Sequence, residues 1–138
     1  MTVVVDASAL VAGFLRDDDT QLGEVTQNLL GSRPVAAPWV CPFEVAGVIA
    51  TAARTQRITE GEAETVWRAF QTVAGLFRFD SFASADDVFT LAMRHRLKGA
   101  DATYLELALR LGAALLTGDK ALARASDEAG VQLAFDPR

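Results

Sequence analysis

Thiols and imidazoles are almost absent from this chain: its 138 residues include one cysteine, Cys41, and one histidine, His95. A single thiol excludes an internal disulfide framework and is compatible with a reducing compartment. One Cys and one His also fall short of the three or four ligands that a zinc site wants. Metal-free RNA cleavage through the 2′-hydroxyl commonly employs paired acid/base groups, often two histidines, and here there is no second one. Long uninterrupted apolar runs are missing too. The most apolar stretch, residues 35–53, is broken by Pro38, Pro42 and Glu44, whereas a membrane helix needs about 20 apolar residues with few or no charges. It reads as a buried helix. No basic segment precedes an apolar one at the N-terminus, which opens directly on "TVVVDASAL", so the expectation is a cytoplasmic protein with no targeting peptide and no membrane association. Basic charge is in short supply: 13 Lys+Arg against 18 Asp+Glu leave a net charge of −5. That balance argues against a nonspecific nucleic-acid binder, which is usually basic. The objection weakens where bound cations neutralise several carboxylates and invert the local field.

What is present is a folded composition, 51% apolar and 22% charged, of a length that suits one domain over residues 1–138. "TVVVD" (2–6) is a β-branched run and predicts a buried strand. "ASALVAGFLRD" and "DTQLGEVTQNLLG" have helical spacing, the second stopping at Gly31. "PVAAP" (34–38) is a weak strand between prolines, and Pro42 suits the first turn of a helix running to about Arg57. Thr59 with Glu62 three residues on is a capping-box signature opening a helix to about Ala74. "LFRFD" (76–80) is a strand, and Ser84 with Asp87 caps "ADDVFTLAMRHRL". Gly99 is expected to end that helix, with "DATYLELALRLG" following to Gly112. "AALLT" (113–117), "DKALARASDEAG" and "VQLAF" (131–135) complete the chain as strand, helix and strand. Alternation of this kind predicts an α/β fold with a largely parallel sheet.

Sites on open parallel sheets form beyond the carboxyl ends of the strands. Asp6 ends the first strand and Asp119 lies two residues past "AALLT", so both belong to one rim. Asp101 begins a helix and Glu44 lies in the first turn of another, and a helix can start at that same rim. Each acid has a plainer role open to it. Asp101 and Asp119 can be helix N-caps, and Asp6 a turn residue at a strand end. Glu44 suits a helix N-terminus. Yet it shares a stripe with Val48 and Thr51 beside the apolar face of Val45, Ile49 and Ala52, and no Lys or Arg lies within nine residues of it. A buried charge normally pairs or binds a metal.

"VVVDASAL", "PFEVAGVI", "GADATYLELALRLG" and "ALLTGDKALA", taken together and in this order, resemble the signature of PIN-domain nucleases, and more narrowly VapC-type toxins of bacterial toxin–antitoxin pairs. The resemblance spans the chain. It implies a PIN-like three-layer fold with a five-stranded, mostly parallel sheet between helices. It places Asp6, Glu44, Asp101 and Asp119 at the four acidic metal-site positions, and Ser8 and Thr117 at small hydroxyl positions beside them. It further implies a homodimer, an RNA substrate and a cognate antitoxin that blocks the acidic site, often with a basic side chain. Many relatives carry another acidic or amide group just after the fourth acid. Here Lys120 and Ala121 follow, so the choice between one and two metal ions stays open.

The chemistry suits the residues. Clustered oxygen ligands favour the hard cations Mg²⁺ or Mn²⁺, and crowded carboxylates without a cation repel, so that some hold a proton. With water as the nucleophile at phosphorus, the products carry 5′-phosphate and 3′-hydroxyl ends. Asp6 and Asp101 are expected to be the most direct ligands, Glu44 to orient or activate water, and Asp119 to bind an outer ion or a coordinated water. Ser8 and Thr117 would hydrogen-bond the carboxylates. Arg94 and Lys98, four apart in "RHRLK", are expected to share a helix face and are candidate RNA contacts, against the plainer role of cations favouring a helix C-terminus. Tyr104, three residues after Asp101, is expected to pack, with a substrate contact at the rim as the alternative. Asp17, Asp18 and Asp19 read as a solvated turn. Trp39, Trp67, Phe77, Phe79 and Phe82 read as core or interface, and Cys41 as an inert buried thiol. Two other functions compete. A Mg²⁺-binding receiver-like signalling domain would need a second acid beside the first strand's, for which only Asp80 is available. A PIN-like module that binds RNA or protein without cutting is the other.

Overall fold

A computed structural model describes residues 1–15, 20–81 and 84–138. The expected turn at Asp17, Asp18 and Asp19, and the position of Phe82, lie outside the described residues. The elements run β1 (Val3–Val5), α1 (Ala7–Leu15), α2 (Thr20–Leu30), β2 (Val35–Pro38), α3 (Cys41–Arg54), α4 (Glu60–Ala74), β3 (Arg78–Asp80), α5 (Ala85–His95), α6 (Gly99–Leu111), β4 (Ala114–Leu116) and α7 (Lys120–Glu128).

The sheet has the order β3-β2-β1-β4 and every pairing is parallel. β1 lies inside it, and Val3, Val4 and Val5 are fully buried, as a strand must be when both of its faces are covered. Val3 pairs with Val35 on one side and Ala114 on the other, so the chain crosses the sheet by helices and returns each time to the same end. Leu105, Leu107 and Ala108 of α6 are buried in the same core as β1, as are Val45 and Ile49 of α3. α1 and α2 pack very closely. A Cβ added at Gly23 would lie 2.7 Å from the backbone oxygen of Ala12, so only glycine allows this approach.

The expected fifth strand is much reduced. "VQLAF" contributes a single parallel bridge, Leu133 to Leu115, held by Leu115 N to Gln132 O and Ala134 N to Leu115 O, both 2.9 Å. β4 is itself only three residues long, which leaves little edge to pair with. The described sheet therefore has four strands.

The helix boundaries follow their caps. Thr59 and Glu62 form the reciprocal capping box at α4, and Ser84 accepts from Asp87 N at α5. One expected boundary moves. α5 ends at His95, not at Gly99, because Arg96 takes the left-handed conformation (φ 56°) as its C-cap. Gly99 instead opens α6 behind the N-cap residue Lys98. Arg94 and Lys98 therefore do not share a helix face as expected. Arg94 lies in the last turn of α5, and Lys98 stands beyond the turn.

Candidate active site

Asp6 leaves the end of β1 and enters a cage of donors. Its Oδ1 accepts from Ser8 Oγ (2.7 Å) and from Ala9 N (3.0 Å), and its Oδ2 accepts from Thr117 Oγ1 (2.5 Å). Part of the turn-residue role is thus real, because the bond from Ala9 N caps α1. Capping does not account for burial, however, and Asp6 is only 4% exposed. Burial pushes its carboxyl up to about 6 against the opposing hydrogen bonds from Thr117, Ala9 and Ser8, with the charge of Asp101 adding to the rise.

Thr117 and Asp119 come from the turn after β4. Thr117 Oγ1 also accepts from Asp119 N (2.9 Å), and Ser8 Oγ accepts from Gly118 N (2.9 Å). A Cβ on Gly118 would lie 2.6 Å from Leu22 Cδ2 and 3.4 Å from Ser8 Oγ, so glycine lets the β4 turn sit against the start of α1. Asp119 is a true N-cap: its Oδ1 accepts from Ala121 N (2.8 Å) and Leu122 N (3.1 Å). The capping role considered for it is therefore present, and it occupies one carboxylate oxygen.

Asp101 is not a cap. Lys98 is the N-cap residue of α6, without a side-chain capping bond, and Asp101 lies in the first turn beyond it. Burial raises the Asp101 carboxyl first, then the charges of Asp119 and Glu44, with Lys98 pulling the other way. Asp101 is thus the electrostatic hub. It feels Asp119 and Glu44 directly, and Asp6 feels it in turn. The four acids expected from the sequence, delivered by the ends of β1 and β4 and the first turns of α3 and α6, are thus linked pair by pair through their charges, with Asp101 common to every pair.

Glu44 has a partner distant in the sequence. Tyr104 Oη donates to Glu44 Oε1 at 2.7 Å across 60 positions of chain. Tyr104 is 1% exposed, so its ring is packed in the core and no face of it is left for substrate at the rim. Burial first, then the neighbouring Cys41 thiol and Glu44, hold this phenol well above the usual tyrosine range. The signal for it was present: a lone tyrosine on the apolar side of a buried helix needs a partner for its hydroxyl. Cys41 is fully buried, and burial pushes its thiol up to about 12, which keeps it protonated and inert. Arg94 and Lys98 are both exposed. Lys98 is the basic side chain whose charge reaches Asp101.

Asp80 also ends a strand on this rim, but it stands 3.2 Å from Arg78 and 3.9 Å from Arg110. The second acid that a receiver-like site would need is thus already committed to cations.

Among the described residues, no three His, Cys, Asp or Glu side chains stand close enough to grip an ion as they are placed. The donor chemistry nevertheless fits a hard divalent cation. Asp119 and Glu44 raise the proton affinity of Asp101, and Asp101 raises that of Asp6; a cation beside them would relieve that repulsion. Asp6, Glu44 and Asp101 would hold it, with the free oxygen of Asp119 on the outer side.

The parallel sheet ends in acids at Asp6 and Asp119, tied together through Ser8 and Thr117, and residues 3–128 match the PIN domain: the chain belongs to the PIN-domain family. Within it, the chain is 30% identical over 128 residues to Ribonuclease VapC3 of Pyrobaculum aerophilum, covering 89% of this chain and 93% of that protein. The fold is shared with VapC20 of Mycobacterium tuberculosis, a toxin that cleaves the sarcin-ricin loop (TM-score 0.66, 17% identity, 98% of this chain and 99% of that one). It is shared also with the VapBC2 structure from Rickettsia felis bound to a promoter DNA fragment (TM-score 0.64, 11% identity, 96% and 97% covered). No helix among the described residues is long and apolar enough to cross a membrane.

Proposed function

We propose that this chain is a Mg²⁺-dependent endoribonuclease, the toxin of a toxin–antitoxin pair, working in the cytoplasm. What supports the reading is the charge linkage among the acids: Asp119 and Glu44 raise Asp101, Asp101 raises the buried Asp6, and Lys98 is the cation that opposes the rise at Asp101.

A bound Mg²⁺, or Mn²⁺ in its place, would supply a positive centre for a phosphodiester and lower the pKa of a coordinated water. Asp6 and Asp101 would be its ligands. Asp6 is held in one orientation by Ser8, Ala9 and Thr117, so it does not need to reorganise when substrate arrives. Glu44 uses one oxygen to accept from Tyr104 and keeps the other for orienting water and receiving its proton. Asp119, anchored by its capping bonds, borders the outer side. Exposed Lys98 offers its charge to an RNA phosphate, and exposed Arg94 in the last turn of α5 is a second candidate contact.

A homodimer is part of the proposal. Phe43 and Val48 on α3, and Phe89 and Met93 on α5, are exposed apolar side chains available to a second copy. The antitoxin partner would quench the rim most simply with an arginine, which can pair bidentately with a carboxylate.

The test is incubation of the purified protein with total RNA and Mg²⁺, with an EDTA control, alongside Asp6→Asn. Cleavage that needs Mg²⁺ and disappears in a folded Asp6→Asn supports the reading. Cleavage at an equal rate by the variant removes the assignment. RNA binding without cleavage by the wild type identifies a non-cutting PIN-like module instead.

A further inference from the structure

Tyr104 is buried, yet it bonds to the acidic rim. It sits on α6, three residues beyond Asp101 and so about one helical turn along the same side. Its hydroxyl donates to Glu44 Oε1 at 2.7 Å, and Glu44 belongs to the first turn of α3. The ring is 1% exposed and lies in the central core, while Glu44 is only half-buried. A rigid, fully packed side chain thus holds one that water can reach.

We infer that Tyr104 is a positioning residue for Glu44: carried by α6 and bonded across to α3, its phenol fixes the direction in which Glu44 presents its free oxygen to the space bordered by Asp101. This role rests on the nuclease reading above.

The physical reason is rotameric. A half-exposed glutamate has three side-chain torsions and samples many directions, and ordering it costs conformational entropy. A donor carried on a side chain with two torsions, itself locked by packing, offsets that cost at the atom where direction matters. Hydrogen bonds to a carboxylate are shorter and stronger than neutral ones. Because Tyr104 and Asp101 are three residues apart on α6, the same contact also links Glu44 on α3 to the helix that carries Asp101.

The experiment is Tyr104→Phe in the full chain, which removes one oxygen from the core. The expected result is a kcat lower by about 10–100-fold with KM for RNA unchanged, the range typical when a residue supporting a metal ligand is lost. Mn²⁺ titrated onto the protein without RNA, followed by water-proton relaxation, should bind more weakly. In a Glu44→Gln background, Tyr104→Phe should lower kcat no further, because the residue acts through Glu44. Wild-type kcat and Mn²⁺ affinity in Tyr104→Phe overturn the role, as does a full additional loss in the double variant. A wild type inert toward RNA overturns the nuclease reading and this role with it, whereas an active wild type matched by Tyr104→Phe overturns the role alone. Should Tyr104→Phe fail to fold, 4-aminophenylalanine and 4-methylphenylalanine at position 104 provide a size-matched pair. The donor-bearing variant should retain cleavage and the methyl variant should lose it, and equal activity in both overturns the role.

Discussion

Thr117 and Asp6 are 111 positions apart and joined by a 2.5 Å hydrogen bond from Oγ1 to Oδ2. The same threonine oxygen accepts from the backbone N–H of Asp119. One hydroxyl therefore ties the end of β1 to the turn after β4 and holds two of the four acids in register. Replacing Thr117 with Val keeps the shape and removes both bonds, leaving a buried carboxylate oxygen without its donor. The expected cost is about 1–3 kcal/mol in urea unfolding, with Thr117→Ser close to the wild type. A Val variant as stable as the wild type would mean that this bond contributes nothing net.

The close approach of α1 and α2 makes a prediction remote from the acids. At Gly23 an added methyl would meet the Ala12 carbonyl oxygen at 2.7 Å. That atom is backbone, so relief requires the helices to separate. Although alanine is the better helix former by roughly 1 kcal/mol, Gly23→Ala should lower stability by about 1–3 kcal/mol. A thermal midpoint at or above that of the wild type would show that the helices part freely.

The residues differ in how openly they announced these roles. The strand end at Asp6 was legible from the β-branched run before it, the strand before Asp119 from the short apolar run "AALLT", and a parallel sheet puts those ends on one side. Asp101 was legible as the start of a helix, but not as a residue free of capping duty. That depended on Lys98 taking the N-cap position after α5 stopped at Arg96, and a left-handed arginine carries no local signal of the kind glycine gives. The bond between Tyr104 and Glu44 was hidden for another reason. Periodicity shows that a tyrosine faces the core, but not which carboxylate its hydroxyl meets 60 residues away. The last strand lies where expected, beside β4, but is reduced to one bridge, because β-propensity describes a residue's fit to a sheet and not how far the pairing runs.

Lys98 offers a test of substrate binding separable from catalysis. It is exposed at the start of α6, and its charge reaches Asp101. Lys98→Ala should weaken RNA binding across sequences and make the slope of log affinity against log salt shallower by about 1. Arg94→Ala, measured in parallel, tests whether the last turn of α5 reaches the same backbone. An unchanged slope for Lys98→Ala would remove it from the RNA contact surface.

Asp6 makes the metal-free protein sensitive to pH in an unusual direction. Most native carboxylates have depressed pKa values and lose their contribution to stability as pH falls. Asp6 is raised from 3.8 to about 6, so the folded state prefers it protonated. Its contribution is fully present below about pH 3.8 and is lost as pH rises through 6. At about 1.4 kcal/mol for each pH unit between the two values, the loss amounts to about 3 kcal/mol by pH 7. Asp101, raised by burial and by the charges of Asp119 and Glu44, changes in the same direction. In EDTA, the stability of the wild type relative to Asp6→Asn should therefore fall between pH 4 and pH 7, with the asparagine variant the more stable at pH 7. Adding Mg²⁺ at pH 7 should stabilise the wild type and leave Asp6→Asn nearly unmoved, since a ligand that binds only the folded state raises its stability. A stability difference flat across this range would show that Asp6 is already relieved of its charge without a cation, and the case for a metal on this rim would lose its electrostatic basis.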